Sequence, residues 1–148
     1  MHFRAYDPRD RAACLEIFDG NAARYFSPGD REAFAAFLEA PVAFYGVLCD
    51  DQGMVVSCGG LAPSRSDPAA AVLMWGMVRA DLHGRGLGRE LLQRRLERLA
   101  DFPDVRKVTL HTSHETAGFC AKMGFRETAR IPDGYRPGLH RCEMSYEF

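Results

Sequence analysis

The stretch His83-Gly84-Arg85-Gly86-Leu87-Gly88-Arg89 sets three glycines at alternate positions just ahead of a leucine-rich run. Glycine lets the backbone turn through positive φ and approach a ligand with no Cβ in the way. A helix that begins here offers unbonded N–H groups and the positive end of its dipole, and the ligand suited to both is a phosphate. Arg85 and Arg89 add mobile positive charge beside it. The spacing narrows the choice of phosphate ligand. A dinucleotide fingerprint needs Gly-x-Gly-x-x-Gly, whereas this loop reads Gly-x-Gly-x-Gly. A P-loop needs Gly-Lys-Ser/Thr, which is absent. As a mere connector the loop makes little sense, because each glycine costs helix or strand stability without return.

With the aliphatic Met77-Val78 ahead of it, this loop resembles the acetyl-CoA signature of the GCN5-related N-acetyltransferase (GNAT) family. That signature is Arg/Gln-x-x-Gly-x-Gly/Ala after a strand with an aliphatic end, and His83 stands where Arg or Gln is usual. The resemblance implies that the loop of His83 and Gly84, with N–H groups from about Arg85 through Gly86, Leu87 and Gly88 to Arg89, holds the pyrophosphate. It also implies that the main chain of Met77 and Val78 pairs with the pantetheine arm as an added strand, which requires that strand to lose its neighbour there. A second segment, Phe119-Cys120-Ala121-Lys122-Met123-Gly124-Phe125, is similar to the family's Phe/Leu-Tyr-x-Lys-x-Gly-Phe, with Phe119 and Lys122 at matching positions. The two motifs and their flanks span about Val72 to Phe125.

The resemblance implies acetyl transfer from acetyl-CoA to a primary amine of a small molecule or peptide by direct attack. Cys120 replaces the tyrosine that many family members use as an acid toward the departing thiolate. A thiol can in principle donate that proton, but it is shorter than tyrosine, and a small buried packing residue is the preferred reading. A covalent acyl-cysteine is a weaker alternative still, with no His–Asp partner fixed by the sequence. The reaction also needs a neutral amine. Lowering an amine's protonation by about 3 pKa units from about 10.4 costs roughly 4 kcal/mol. A base acting through water, or desolvation, can supply this. Family members often carry Glu or Asp on the strand before the glycine loop, but Ala71-Val72-Leu73-Met74-Trp75-Gly76 has no carboxylate. His111 and Tyr135 are the candidates that remain, each with a structural role as its alternative. A non-enzymatic acyl-CoA-binding module of the same fold is the rival function, and O-acyl transfer a weaker one.

The elements that must position these residues follow from periodicity and punctuation. His2 to Tyr6 reads as a strand, and Pro8 suits a helix start. Ala13, Cys14, Ile17 and Phe18 keep helical spacing. A second helix follows Ser27-Pro28 and stops at or before Ala40, ahead of Pro41. Val42 to Cys49 and Met54 to Leu61 are strands joined by the turn Asp50-Asp51-Gln52-Gly53. Ala69 to Val78 is apolar throughout, as a buried central strand would be. Leu87, Leu91, Leu92, Leu96 and Leu99 define an amphipathic helix, whose Arg89, Arg94, Arg95 and Arg98 are expected on its solvated face. Val105 to His111 is a strand, and Thr112-Ser113-His114-Glu115 matches a capping box for a helix ending near Gly124. Phe125 to Ile131 and Leu139 to Phe148 are strands around a Pro-Asp-Gly loop. The order β-α-α-β-β-β-α-β-α-β-β gives an α/β (α+β) fold. Its mixed, mostly antiparallel central sheet has about six to seven strands and about four flanking helices.

The 148 residues suit a single domain spanning 1–148. A net charge of -1 argues against nucleic acid as partner. No apolar run approaches the roughly 20 residues of a membrane span, and the N-terminus lacks a signal-peptide pattern. Five cysteines without a Cys-x-x-Cys pair fit reduced thiols in a cytoplasm. The C-terminal strands could pair between subunits as a homodimer. His111, His114, His140 and Cys142 do not match a metal-ligand spacing, so no metal is expected.

Overall fold

The computed structural model describes Met1 to Phe148. Strand β1 (His2–Ala5) leads through a 3-10 turn, Pro8–Asp10, into helices α1 (Arg11–Tyr25) and α2 (Asp30–Glu39). Strands β2 (Phe44–Cys49), β3 (Val55–Pro63) and β4 (Ala70–Val78) follow, then α3 (Leu87–Glu97). The chain ends with β5 (Lys107–Ser113), α4 (His114–Lys122), β6 (Arg126–Arg136) and β7 (Leu139–Glu147). This is the expected element order. The sheet has seven strands in the order β1-β2-β3-β4-β5-β7-β6, antiparallel except between β4 and β5.

The sheet separates two apolar layers. On one face Cys14, Ile17 and Phe18 of α1 and Phe34 and Leu38 of α2 pack on Tyr45, Val47, Cys58 and Met77. On the other, Leu92 of α3 and Ala117 and Cys120 of α4 pack on Leu61, Leu73, Val108 and Met144. Phe34 is fully buried, a burial that stabilises by about 1.5–3 kcal/mol. The early helix starts as Pro8 suggests: Asp7 accepts from the Arg9 N–H, and the buried Asp10 accepts from the Asp7 N–H and from Arg4. All five cysteines are free and buried. No helix is long and apolar enough to cross a membrane.

Three local expectations are corrected. The capping box at Thr112 does not form: β5 runs on through Thr112, the helix cap is Ser113, and no side chain caps it. Pairing of Thr112 with Cys142 in the sheet wins over the local signal. The Pro-Asp-Gly segment is not the hairpin loop. Pro132, Asp133 and Gly134 form an irregular stretch inside β6, and the chain reverses at Pro137-Gly138, with Arg136 paired to Leu139. Gly138 has φ +82° there, as a tight turn after proline requires. Finally, Arg95 is not on the solvated face of α3: it is 8% exposed and turned onto the sheet. Its spacing explains this, since it lies four residues after Leu91 and three after Leu92, on the apolar stripe itself.

Candidate active site

The site originates in a break in the sheet. Strand β4 pairs with β5 only from Ala70 to Val72, opposite Lys107 to Thr109. Beyond that point β4 stays with β3 and β5 stays with β7, so the two strands diverge. A cleft of about 780 Å³ opens between them, with Leu73 to Val78 on one wall and Leu110 to Ser113 on the other. Irregular pairing with β3 between Cys58 and Gly60 bends β4 where it diverges. Trp75 sits in this bend with φ +48°, a strained value for a side chain of its size. The Tyr45 hydroxyl donates to the Trp75 carbonyl at 2.8 Å, and Phe26, Phe34 and Phe37 pack around the indole.

At the end of β4 the Arg79 N–H bonds back to Val56 at 3.0 Å. Alternation therefore points the Val78 peptide the other way, into the cleft. Its carbonyl accepts from Asn21 Nδ2 and from His83 Nε2, both at 2.9 Å. His83 thus ties the glycine loop to the strand. The loop continues through Gly84 at φ +80° and Gly86 at φ +81°, and a Cβ added at either would meet nothing within 4 Å. Both glycines border open space that a ligand can fill. Helix α3 begins without a side-chain cap, and its first internal bond runs from the Glu90 N–H to the Gly86 carbonyl. The N–H groups of Leu87, Gly88 and Arg89 are left without helical partners at the cleft mouth. Gly88 also admits Phe119, whose ring lies 3.4 Å from where a Cβ would stand.

Of the residues singled out by sequence, Met77, Val78, His83, Gly84, Gly86, Leu87, Gly88, Arg89, Phe119, Cys120, His111 and Tyr135 all line this one cleft. Arg85 and Lys122 lie outside its lining, both exposed. Met77 turns its side chain into the α1–α2 core. His111 of β5 and Tyr135 of β6 meet directly, His111 Nδ1 lying 2.6 Å from the tyrosine hydroxyl. Loss of hydration beside the cleft wall, and then nearby Arg141, hold the imidazole below its ordinary pKa. Burial pushes the Tyr135 hydroxyl up to about 12. Ser27 donates to the Tyr135 carbonyl and fixes that strand against the start of α2. Burial likewise pushes the Cys120 thiol up to about 11.

Several lining residues have no place in the two motifs: Asn21, Tyr25, Asp30 and Arg95. Asn21 had a visible signal, since it extends the apolar spacing of Cys14, Ile17 and Phe18 as its one polar member. Asp30 stands at the first position of α2 and accepts from the Ser27 N–H at 2.7 Å. No three His, Cys, Asp or Glu side chains converge as metal ligands. His114 Nδ1 and His140 Nδ1 each accept a backbone N–H instead.

Comparison with known proteins agrees with this architecture. The acetyltransferase (GNAT) domain model matches residues 41–127. No curated protein matches the chain by sequence. Among solved structures, a GCN5-related N-acetyltransferase from Kribbella flavida superimposes with TM-score 0.81 at 21% identity, over 99% of this chain and 97% of the other. A protein from Salmonella typhimurium, solved with its cofactor acetyl-CoA, gives 0.78 at 21% identity over 99% and 93%. A ribosomal-protein-alanine N-acetyltransferase from Brucella melitensis gives 0.77 at 17% identity over the whole of both chains. At these identities the structural likeness speaks for the fold.

Proposed function

Since this chain belongs to the GNAT acetyltransferase family, we propose that it moves the acetyl group of acetyl-CoA to a primary amine of a small molecule or peptide by direct attack. The observation that carries this reading is the divergence of β4 from β5 directly above the glycine-opened start of α3. The residues present fit the donor. Gly84 and Gly86 leave space at the helix start, and the free N–H groups of Leu87, Gly88 and Arg89 suit a pyrophosphate. The Val78 N–H faces the cleft as an unpaired strand edge for the pantetheine amides. When bound, the donor supplies a thioester carbonyl activated toward amines.

The chain's own residues then have to deliver a neutral amine. Trp75 and Phe26 at the inner wall exclude water and favour the uncharged amine. Asp30 lines the same end and can hold an ammonium before it loses its proton. His111 is the base. A proton on Nδ1 donated to the Tyr135 oxygen leaves Nε2 with the free lone pair, and the lowered pKa keeps the ring neutral at pH 7. Tyr135 orients the ring.

Release of free CoA, followed by thiol detection over a panel of small amines and amino-terminal peptides, tests this function. Turnover with at least one primary amine is expected. Binding of acetyl-CoA without turnover on any amine would instead favour an acyl-CoA-binding module.

A further inference from the structure

Arg95 projects from α3 under the bend of β4. Its guanidinium occupies the room left by Gly59 and Gly76, where a Cβ would come within 3.1 Å and 2.8 Å of it. Only 8% of the residue is exposed. No salt bridge reaches it, and its Nε is buried without a hydrogen-bond partner. It nevertheless lines the cleft. The ionisable groups around it are Tyr45 of β2, Cys58 of β3 and Cys120 of α4, with no carboxylate among them. Burial pushes Tyr45 and Cys120 up, whereas hydrogen bonding with Cys14 draws Cys58 down. Burial brings the guanidinium down to about 10, still protonated at neutral pH. A buried cation without a carboxylate partner is costly, and an anion arriving in the cleft relieves that cost.

Position identifies the anion. Nine residues of helix, at about 1.5 Å each, separate Arg95 from Gly86, so it lies about 13 Å along the axis from the pyrophosphate end of the cleft. That is too far for the phosphates and is the depth a pantetheine arm reaches with its sulfur. We propose that Arg95 is a catalytic residue, the cation that receives the coenzyme A thiolate as it leaves. The proposal rests on the acetyl-CoA reading above. In the step, the amine nitrogen bonds to the thioester carbon, and the amine proton passes to His111. The C–S bond then breaks with its electron pair on sulfur. The products are the amide, protonated His111 and a thiolate paired with Arg95. Cys120, at the position matching the family's tyrosine, is then not required to give a proton.

The test uses CoA and desulfo-CoA on the whole protein, with calorimetric affinities and ultraviolet titration of the thiolate of bound CoA. In the wild type the bound thiol is expected to titrate about one unit below that of free CoA in the same buffer. At the pH where free CoA is half ionised, CoA should also bind several-fold tighter than desulfo-CoA. Arg95→Lys should keep part of both effects. Arg95→Met should abolish both while leaving desulfo-CoA affinity unchanged. Methionine also removes an unpaired buried charge, so its melting temperature should not fall. An unshifted thiol in the wild type, or one equally shifted in Arg95→Met, overturns the proposal. If neither CoA nor desulfo-CoA binds the wild type, the acetyl-CoA reading fails, and this inference with it.

Discussion

The imidazole Nδ1 of His111 and the phenol oxygen of Tyr135, 24 residues apart in sequence, stand 2.6 Å from each other in the lining of the cleft. The pairing exists because β7 lies between β5 and β6 and bonds to both. Reduced hydration lowers the His111 pKa, so the neutral, base-competent form persists below the ordinary imidazole value of about 6.5. The acid limb of kcat/KM should therefore fall below pH 6.5. His111→Gln should remove that limb and slow turnover by about 10²–10⁴-fold. Tyr135→Phe should keep the limb and cost about 1 kcal/mol, roughly fivefold in rate. A pH profile unchanged in His111→Gln would exclude the base role.

Gly86 and Gly53 give a matched comparison. Both have positive φ, +81° and +82°, and an added Cβ at either meets nothing within 4 Å. Alanine at either position should cost about 1 kcal/mol of stability through backbone strain alone. Gly53 lies in the β2–β3 turn, whereas Gly86 borders the cleft. Gly86→Ala should therefore weaken acetyl-CoA binding and Gly86→Asp abolish it, while Gly53→Ala leaves affinity intact. Denaturant melts and calorimetric titration of the three variants check this. Equal affinity in all three would move the pyrophosphate elsewhere.

Cys120 faces the α3–α4 core at 5% exposure, and its thiol is pushed up to about 11 by burial, with Arg95 opposing that rise. Such a thiol is mostly protonated at neutral pH, so it is a poor nucleophile. It is also a weak acid toward a thiolate of lower pKa. Cys120→Ala should keep turnover within about threefold of wild type, against the 10²–10⁴-fold loss that follows removal of a true general acid. Mass spectrometry after mixing with acetyl-CoA should show no acetyl adduct at this residue. A large rate loss at preserved acetyl-CoA affinity would reinstate the acid role.

The local signals in this chain were legible and the long-range ones were not. Periodicity and punctuation gave every helix and strand in order, because Pro41, Gly53 and Gly124 interrupt patterns whose period is set by the backbone itself. The glycine loop was readable for the same reason, since its chemistry lies in contiguous main chain. By contrast, Thr112 reads as a helix cap until its pairing with Cys142 draws it into β5. The expected solvated face of α3 fails at one residue, Arg95, where two glycines on separate strands make room for a guanidinium. Neither glycine signals this alone. His111 and Tyr135 could be named as candidates, but their contact depends on the order of strands in the sheet.

Asn21 and His83 hold the same carbonyl, that of Val78, from opposite directions in sequence: one from α1, one from the glycine loop. Asn21 is 5% exposed and also donates to the Ile17 carbonyl at 2.8 Å. Together they fix the end of β4 against α1 and bring the glycine loop back over it. Either donor alone still satisfies Val78, so Asn21→Leu and His83→Ala should each cost no more than about 1 kcal/mol. Removing both leaves the carbonyl without a protein donor and frees the loop from the strand. The double variant should then lose about 1 kcal/mol beyond the sum of the two, and its affinity for acetyl-CoA should fall more than additively. Leucine suits the apolar side of α1, so the fold should tolerate the first change and the cycle can be completed by denaturant melts. Stabilities that add to within about 0.5 kcal/mol would mean that the two side chains act independently and that His83 is not what places the loop.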